Sequence, residues 1–250
     1  MTRGGRALAV LLATLAVVAA ACLSAPPEGA HDSDEPPPLA TAGEEVAAPA
    51  ELRSESLERH AKEVTLRVRN LGCARVVTGS AFAIGERMLV TNRHVVEGAE
   101  RLEVNTWDGV TLDVEIVQAV MSHDIAVAEV TARLPQTAEV AEDDARAGQP
   151  IVVAGYPRGG ELTVEEGVVL RRTSDVVFGA EAGALALDAR VAPGNSGGPV
   201  LDADGRVVGI VYAVGNDRPV GLAVPVSALS EALADTEGLV EVPDCAEAAS

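Results

Sequence analysis

Three short segments contain the residue types that nucleophilic catalysis requires. Ser196 lies in "GNSGGP", His94 lies in "TNRHVV" and Asp124 lies in "SHDIAV". A serine hydroxyl is a weak nucleophile until an imidazole accepts its proton, and the imidazole needs a carboxylate that fixes its tautomer and stabilises its charged form. We therefore expect Ser196 to be the nucleophile, His94 the general base and Asp124 the group that orients His94.

The residues around Ser196 favour an oxyanion hole. The tetrahedral intermediate of acyl transfer needs hydrogen-bond donors, and the backbone N–H groups of Gly194 and Ser196 are the candidates. A glycine at position 194 can adopt a conformation that is costly for residues with a Cβ atom, while Gly197 and Gly198 leave room for a substrate. Taken alone, however, the segment also fits a tight turn before a strand, because Gly and Pro both mark turns.

The chain that must position these residues is predicted to be β-structure from Val64 onward. Short apolar or alternating runs recur between turn signals, and Asp108-Gly109 marks the clearest hairpin. An acidic, alanine-rich connection at 139–148 separates two sets of strands, at about 64–135 and about 146–226. These patterns predict a sandwich or barrel in two halves of similar size, with a helix in the final segment 227–250.

The first fifty residues differ in composition from the rest. Residues 1–21 have a basic start, an apolar run and small residues at the end, which is the layout of a secretory signal peptide. Residues 22–50 are rich in Pro, Ala and acidic groups, and this composition predicts an extended tether. The segment "ELRSESLERHAKEV" that follows is amphipathic, but its leucines are sparse.

The three cysteines indicate an exported chain with one disulfide. Cys22 directly follows "AAA", and this junction resembles the lipobox of bacterial lipoproteins, in which the cysteine is lipidated. Ala19 departs from that motif, so ordinary cleavage after Ala21 remains the alternative. Pairing Cys73 with Cys245 leaves no idle thiol in an oxidising compartment. We expect a cell-envelope location: lipid-anchored on the outer face of the cytoplasmic membrane or periplasmic, and otherwise secreted.

Charge and composition exclude several classes of function. The net charge is −19, so the chain lacks the density of Lys and Arg that phosphate neutralisation requires, and we expect no nucleic-acid partner. The sequence contains no HExxH, no Cys-x-x-Cys and no His/carboxylate cluster, so we expect neither a metal nor a cofactor. We expect a monomer whose partners are its substrates.

The three segments, in this order, resemble the signature blocks of the trypsin/chymotrypsin-like serine proteases, bacterial branch. The resemblance covers about residues 64–229. It implies two packed antiparallel β-barrels with the site between them, and hydrolysis of proteins or peptides through an acyl-enzyme. The placement of Cys73 and Cys245, the "TN-x-HVV" motif and the short C-terminal end resemble the periplasmic acid-resistance proteases of actinobacteria, in their protease part only.

Two residues near Ser196 bear on activation and specificity. Asn195 stands where animal digestive members carry an Asp that anchors a newly cut amino terminus, so we expect the domain to fold without that step. Arg190 occupies the position that sets pocket charge in trypsin-like enzymes and would favour an acidic side chain before the scissile bond. The alternative is an Arg that points to the surface from an alternating strand.

Three other residues are interpreted as bystanders. Arg93 is expected on a strand, where its side chain would lie opposite that of His94. His60 and His123 are interpreted as surface residues.

Two other functions are weighed against a peptidase. A protease fold without activity could serve as an envelope binding or signalling module, and a broken triad would indicate it, but all three residue types are present. A chaperone-like protease of the HtrA type usually needs a peptide-binding module, and we expect none in about twenty residues after Leu229.

Overall fold

The computed structural model describes residues 54–120, 123–175, 183–214, 220–235 and 238–242. The predicted signal peptide, the tether with Cys22, and Cys245 all lie outside these residues, so those assignments stay predictions. In the part of the chain that is described, no helix has both the length and the apolar character needed to cross a membrane.

A helix, α1 (Glu55–Val64), precedes the first strand. The hydroxyl of Ser54 accepts a hydrogen bond from the Leu57 N–H at 3.1 Å and so satisfies one of the free donors at the helix start. Leu57, Ala61 and Val64 form its buried face. The sequence pattern does not assign this helix because only one of these three residues is a large apolar one.

The first half of the β-structure is an eight-stranded antiparallel sheet. Its strand order is β14-β6-β7-β3-β2-β1-β4-β5, so among the described residues the last strand of the chain lies at one edge. Its elements are β1 (Thr65–Gly72), β2 (Val76–Ala83), β3 (Met88–Asn92), the helical turn α2 (Arg93–Val96), β4 (Ala99–Asn105), β5 (Thr111–Leu112), β6 (Val114–Val120), β7 (Ile125–Val130) and β14 (Val240–Glu241).

The second half is a closed six-stranded barrel in the order β10-β13-β12-β11-β8-β9. Its elements are β8 (Pro150–Gly155), a 3₁₀ turn (Pro157–Gly159), β9 (Thr163–Thr173), β10 (Ala184–Ala189), β11 (Pro199–Leu201), β12 (Val207–Val214) and β13 (Gly221–Pro225), followed by the helix α3 (Val226–Ala234). The prediction of a β-fold in two halves with a C-terminal helix is therefore confirmed.

An apolar cluster joins the two halves beneath the site. Phe82 and Ile125 from the first half pack in one cluster with Ile210 and Tyr212 from the barrel, and all four are at most 4% exposed. Burial of apolar side chains on both sides contributes stability in proportion to the area removed from water. This shared core holds β3 and β7 close to the loop that carries Ser196.

Candidate active site

His94 and Asp124 are brought together by strand pairing. His94 lies in α2 directly after β3, and Asp124 lies directly before β7, while Asn92 of β3 pairs with Ile125 of β7. The Asp124 carboxylate accepts hydrogen bonds from His94 Nδ1 at 2.7 Å and from the His94 backbone N–H at 3.0 Å. An ionised carboxylate only accepts hydrogen bonds, so opposite such a group Nδ1 is the nitrogen that donates.

The Asp124 backbone is held in an unusual conformation. Its φ of 53° lies in the left-handed region, which Asp tolerates better than most residues. The Asp124 carbonyl accepts hydrogen bonds from Asn92 Nδ2 at 3.0 Å and from the Arg93 N–H at 3.1 Å. The expectation that Arg93 lies on a strand is wrong, because the chain turns into α2 at this point so that its N–H groups can reach Asp124.

The loop that carries Ser196 joins β10 to β11 and packs against β2 and β3. Gly197 has a φ of +85°, and a Cβ atom there would lie 2.1 Å from the Ser80 carbonyl oxygen, 2.3 Å from Thr91 Oγ1 and 3.1 Å from the Asn92 nitrogen. Only glycine allows this approach. The close packing places Ser196 beside the junction of β3 and α2, where His94 lies.

The Ser196 hydroxyl donates a hydrogen bond to the Tyr212 carbonyl oxygen at 3.3 Å. This bond is long for an O–H donor and is therefore weak. Nucleophilic attack requires the hydroxyl to exchange it for a bond to His94 Nε2.

The backbone of Gly194 is held on one side by the 3₁₀ turn after β8. The Pro193 carbonyl accepts a hydrogen bond from the Arg158 N–H at 2.6 Å, and the structure has no cis peptide bond in its described part. In a trans peptide the N–H and C=O groups point in opposite directions, so the Gly194 N–H points away from Arg158. Gly194 has a φ of +101°, and a Cβ atom there would lie 2.3 Å from the Tyr156 carbonyl oxygen.

Asn195 is buried beside Ser196. It is 1% exposed, and its Oδ1 accepts a long hydrogen bond from the Ala192 N–H at 3.4 Å, while its Nδ2 has no hydrogen-bond partner among the described residues. The expectation that no newly cut amino terminus is required stays a prediction.

Arg190 directly follows β10 and is exposed, which favours the alternative that it is a surface residue. Its role in the substrate pocket stays a prediction. His60 lies on α1, where its Nε2 is 3.2 Å from the Gly205 carbonyl oxygen, so it is partly buried against the turn before β12 rather than freely exposed. His123 is also half-buried.

Two tyrosines near the site are missed by sequence reasoning. Burial, followed by the hydrogen bond to Asp175 at 2.9 Å, raises the pKa of Tyr212 far above its ordinary value. Burial raises the pKa of Tyr156 to about 12. Both phenols therefore stay neutral at physiological pH. Tyr156 directly follows β8 and Tyr212 lies within β12, and the sequence gives no signal of their burial beyond the apolar runs around them.

Comparison with known proteins places this site in a family. Residues 79–210 match the trypsin-like peptidase domain. The chain belongs to the trypsin-like peptidase family. In the part of the family domain that the structure describes, no group of three or more His, Cys, Asp or Glu side chains is placed to hold a metal ion.

Individual relatives of this trypsin-like peptidase are bacterial proteases. The chain is 33% identical over 174 residues to the serine protease Do-like HtrA of Bacillus subtilis, which is 64% of this chain and 38% of that protein. It is 36% identical over 160 residues to a probable periplasmic serine endoprotease DegP-like of Brucella suis, which is 61% of this chain and 31% of that protein. The match thus spans less than half of the length of these relatives. One of them is a protease of the HtrA type, the type weighed against a peptidase in the sequence analysis.

Solved structures confirm the fold predicted from the resemblance. The active form of the Rv3671c protease from M. tuberculosis has a TM-score of 0.67 at 26% identity and covers 76% of this chain and 88% of its own. The HtrA-type protease AlgW with tripeptide has a TM-score of 0.68 at 26% identity and covers 75% and 65% respectively. The two-barrel architecture of trypsin-like peptidases is therefore the fold of this chain.

Proposed function

We propose that the chain is a serine endopeptidase in which Ser196, His94 and Asp124 form the catalytic triad. The observation that carries the proposal is the hydrogen bond from His94 Nδ1 to a fully buried Asp124 carboxylate, at 2.7 Å. A proton on Nδ1 is the tautomer that a general base acting through Nε2 requires. The packing of Gly197 against Asn92 supports the same conclusion, because it brings the serine loop to His94.

The reaction proceeds in two halves. Ser196 Oγ attacks the scissile carbonyl carbon while His94 Nε2 takes its proton, and the Gly194 and Ser196 N–H groups stabilise the resulting oxyanion. The imidazolium then protonates the leaving amine, the C–N bond breaks and an acyl-enzyme remains. Water, deprotonated by His94, hydrolyses this ester and restores Ser196. Asp124 stays ionised throughout.

The activity is tested with a fluorescent protein substrate and an internally quenched peptide library. We expect the full chain to cleave both at internal peptide bonds and the Ser196→Ala variant to cleave neither. Cleavage of esters but not of peptide bonds would overturn the assignment as an endopeptidase. An equal rate in the Ser196→Ala variant would overturn the assignment of the nucleophile.

The peptide library also tests Arg190. If Arg190 sets the pocket charge, cleavage follows acidic residues and this preference disappears in Arg190→Gln. If Arg190 remains a surface residue, as its exposure favours, the two profiles are identical.

Export and lipidation of Cys22 are proposed from the first 22 residues. The relatives that include a periplasmic endoprotease support export. An inhibitor of the lipoprotein signal peptidase should leave an unprocessed precursor of the normal chain, and Cys22→Ala should abolish labelling with a palmitate analogue. Unchanged processing in the presence of the inhibitor would indicate ordinary cleavage after Ala21.

The disulfide between Cys73 and Cys245 is supported by the course of the last strand. Val242 follows β14 and lines a cavity of about 350 Å³ together with Ala99, and Ala99 pairs with Gly72. Position 245 is three residues beyond Val242, a reach of roughly 10 Å in extended chain. Peptide mapping without reductant should find the two cysteines in one linked fragment.

A further inference from the structure

We propose that Ser80 is a positioning residue whose buried hydroxyl holds the Gly194 carbonyl and so limits rotation of Gly194, whose N–H is the proposed oxyanion donor. The inference deepens the proposed function and rests on it. Ser80 is fully buried in the middle of β2, in the half of the molecule that does not carry Ser196.

Ser80 contacts the serine loop through two separate groups. Its backbone N–H donates a hydrogen bond to the Ser196 carbonyl oxygen at 2.7 Å. Its hydroxyl donates to the Gly194 carbonyl oxygen at 2.7 Å and accepts from the Tyr156 N–H at 2.9 Å. The hydroxyl therefore connects the loop to the end of β8, and both of its hydrogen-bonding roles are used.

Gly194 lies between two peptide groups, and each is held by a different element. The peptide before it, which carries the Gly194 N–H, is held by the bond from the Arg158 N–H to the Pro193 carbonyl. The peptide after it is held by the Ser80 hydroxyl at its carbonyl and by the bond from the Asn195 N–H to the Ala192 carbonyl at 3.0 Å. A glycine has no Cβ atom to restrict rotation, so its orientation depends on these bonds. Because the bond from Ser80 comes from a side chain, it can be removed by a single substitution.

The remaining polar groups of Ser80 show how closely the residue is enclosed. Its carbonyl oxygen accepts a hydrogen bond from Thr91 Oγ1 at 2.6 Å. A Cβ atom at Gly155 would lie 3.0 Å from Ser80 Oγ and 3.1 Å from the Asn195 Cα. The hydroxyl thus occupies a space that neighbouring residues keep small, and its position varies little.

Removal of the hydroxyl should affect catalysis more than substrate binding. In Ser80→Ala the Gly194 carbonyl and the Tyr156 N–H lose their shared partner in a buried site. The peptide after Gly194 then keeps the bond from the Asn195 N–H to the Ala192 carbonyl but loses the one at its carbonyl, so Gly194 and its N–H can shift. We expect kcat to fall roughly 10- to 100-fold, less than for loss of an oxyanion donor itself, while KM changes by less than about threefold.

Thr65→Val is the matched control. Thr65 is also fully buried, on the neighbouring strand β1, and its hydroxyl also donates to a backbone carbonyl, that of Ala61 at 2.6 Å. It contacts no residue of the serine loop through this bond. Both substitutions remove one buried hydroxyl, so both should lower Tm, but only Ser80→Ala should lower kcat.

The experiment measures kcat, KM and inhibition of the full chain by a peptide aldehyde, which forms an oxyanion on Ser196, against inhibition by the product peptide. We expect Ser80→Ala to weaken aldehyde binding roughly 10- to 100-fold with product binding unchanged. If Ser80→Ala cannot be purified folded, Ser80→Cys, a weaker hydrogen-bonding group, should show a smaller loss of the same kind.

The outcomes separate this proposal from the proposed function. If Ser80→Ala, or Ser80→Cys in its place, matches Thr65→Val in kcat and in aldehyde binding, Ser80 is a structural residue and the inference is wrong. If the unmodified chain hydrolyses no peptide and is not inhibited by the aldehyde, the proposed function itself fails.

Discussion

The two β halves hold their catalytic groups in different ways. In the first half, the partners His94 and Asp124 are 30 residues apart and lie at the ends of two paired strands, so the sheet register alone brings them together. In the barrel, the loop with Ser196 depends on Ser80, which is 114 residues away from Gly194 and belongs to the other half. In the proposed triad, the general base is therefore positioned within one sheet, whereas the nucleophile and the oxyanion donors are positioned by contacts between the halves.

This difference explains where each half tolerates change. The hydrogen bonds that Asp124 accepts within the described residues come from β3 and α2, so the His94–Asp124 pair should survive small shifts between the halves. The serine loop is pressed against β2 and β3 with contacts that leave no room for a Cβ atom at Gly197. A shift between the halves should thus disturb the oxyanion donors before it disturbs His94.

The largest expected effect is in the first half. Asp124→Asn should leave the fold intact but favour the wrong tautomer of His94, and kcat should fall about 10⁴-fold. The measurement is peptide hydrolysis together with near-UV circular dichroism. A loss below about tenfold with an unchanged spectrum would contradict the role of Asp124.

The second largest effect on kcat is expected from a substitution in the serine loop of the barrel. Gly194→Ala places a Cβ atom 2.3 Å from the Tyr156 carbonyl oxygen at a φ of +101°, so the loop must move. We expect kcat to fall roughly 10²- to 10³-fold.

Gly109→Ala is the control for Gly194→Ala. Gly109 has a φ of +90° with nothing within 4 Å of a Cβ atom. An alanine there would therefore have the same backbone strain as one at position 194 but no steric clash. It should lower stability by about 1–2 kcal/mol with kcat unchanged. Equal kcat values in the two variants would show that the Gly194 position does not hold the oxyanion donors.

The predicted disulfide between Cys73 and Cys245 would link the end of the chain covalently to the first half, and the barrel has no such link in the prediction. Cys73→Ala and Cys245→Ala should each lower the free energy of unfolding by roughly 2–5 kcal/mol under oxidising conditions and have no effect in the presence of reductant. Denaturant titrations with and without dithiothreitol measure this. Equal stability of all three chains under oxidising conditions would exclude the bond.

The smallest effect concerns Asp144, in the connection between the halves. Burial alone would raise its pKa, but hydrogen bonds from the Ser227 N–H, Arg172 and the Ser227 hydroxyl hold it below the ordinary value of 3.8. Its stabilising contribution is therefore present above pH 3.8 and is lost as the pH falls through the lower folded value.

Asp144→Asn should accordingly lower Tm by about 1–2 °C at pH 7, a modest change because the pair with Arg172 is partly exposed. The difference from the unmodified chain should disappear at acidic pH. A constant difference across the pH range would show that the carboxylate charge does not contribute.

Much of the architecture follows from local sequence patterns. The strands, the Asp108-Gly109 hairpin, the two halves and the helix α3 all have periodicity or turn signals of their own. The candidate site follows as well, because its three segments contain residue types that make chemical sense only together.

Other features depend on contacts between distant segments and have no local signal. The left-handed Asp124 and the turn at Arg93 exist because the Asp124 carbonyl takes hydrogen bonds from Asn92 and Arg93. In the sequence, Ser80 is one polar residue in a short apolar strand. Its hydrogen-bond partners, Gly194 and Tyr156, belong to the other half and come into contact with it only in the folded chain. The helix α1 is similarly stabilised by tertiary contacts more than by its own pattern.

The central claim is that Ser196 is a nucleophile activated by His94, and covalent labelling tests it most directly. A fluorophosphonate probe should modify the full chain at one site, identified by peptide mass spectrometry as Ser196. Labelling should be absent in both Ser196→Ala and His94→Ala. An unlabelled wild-type chain, or labelling that persists in His94→Ala at the wild-type rate, would contradict the account.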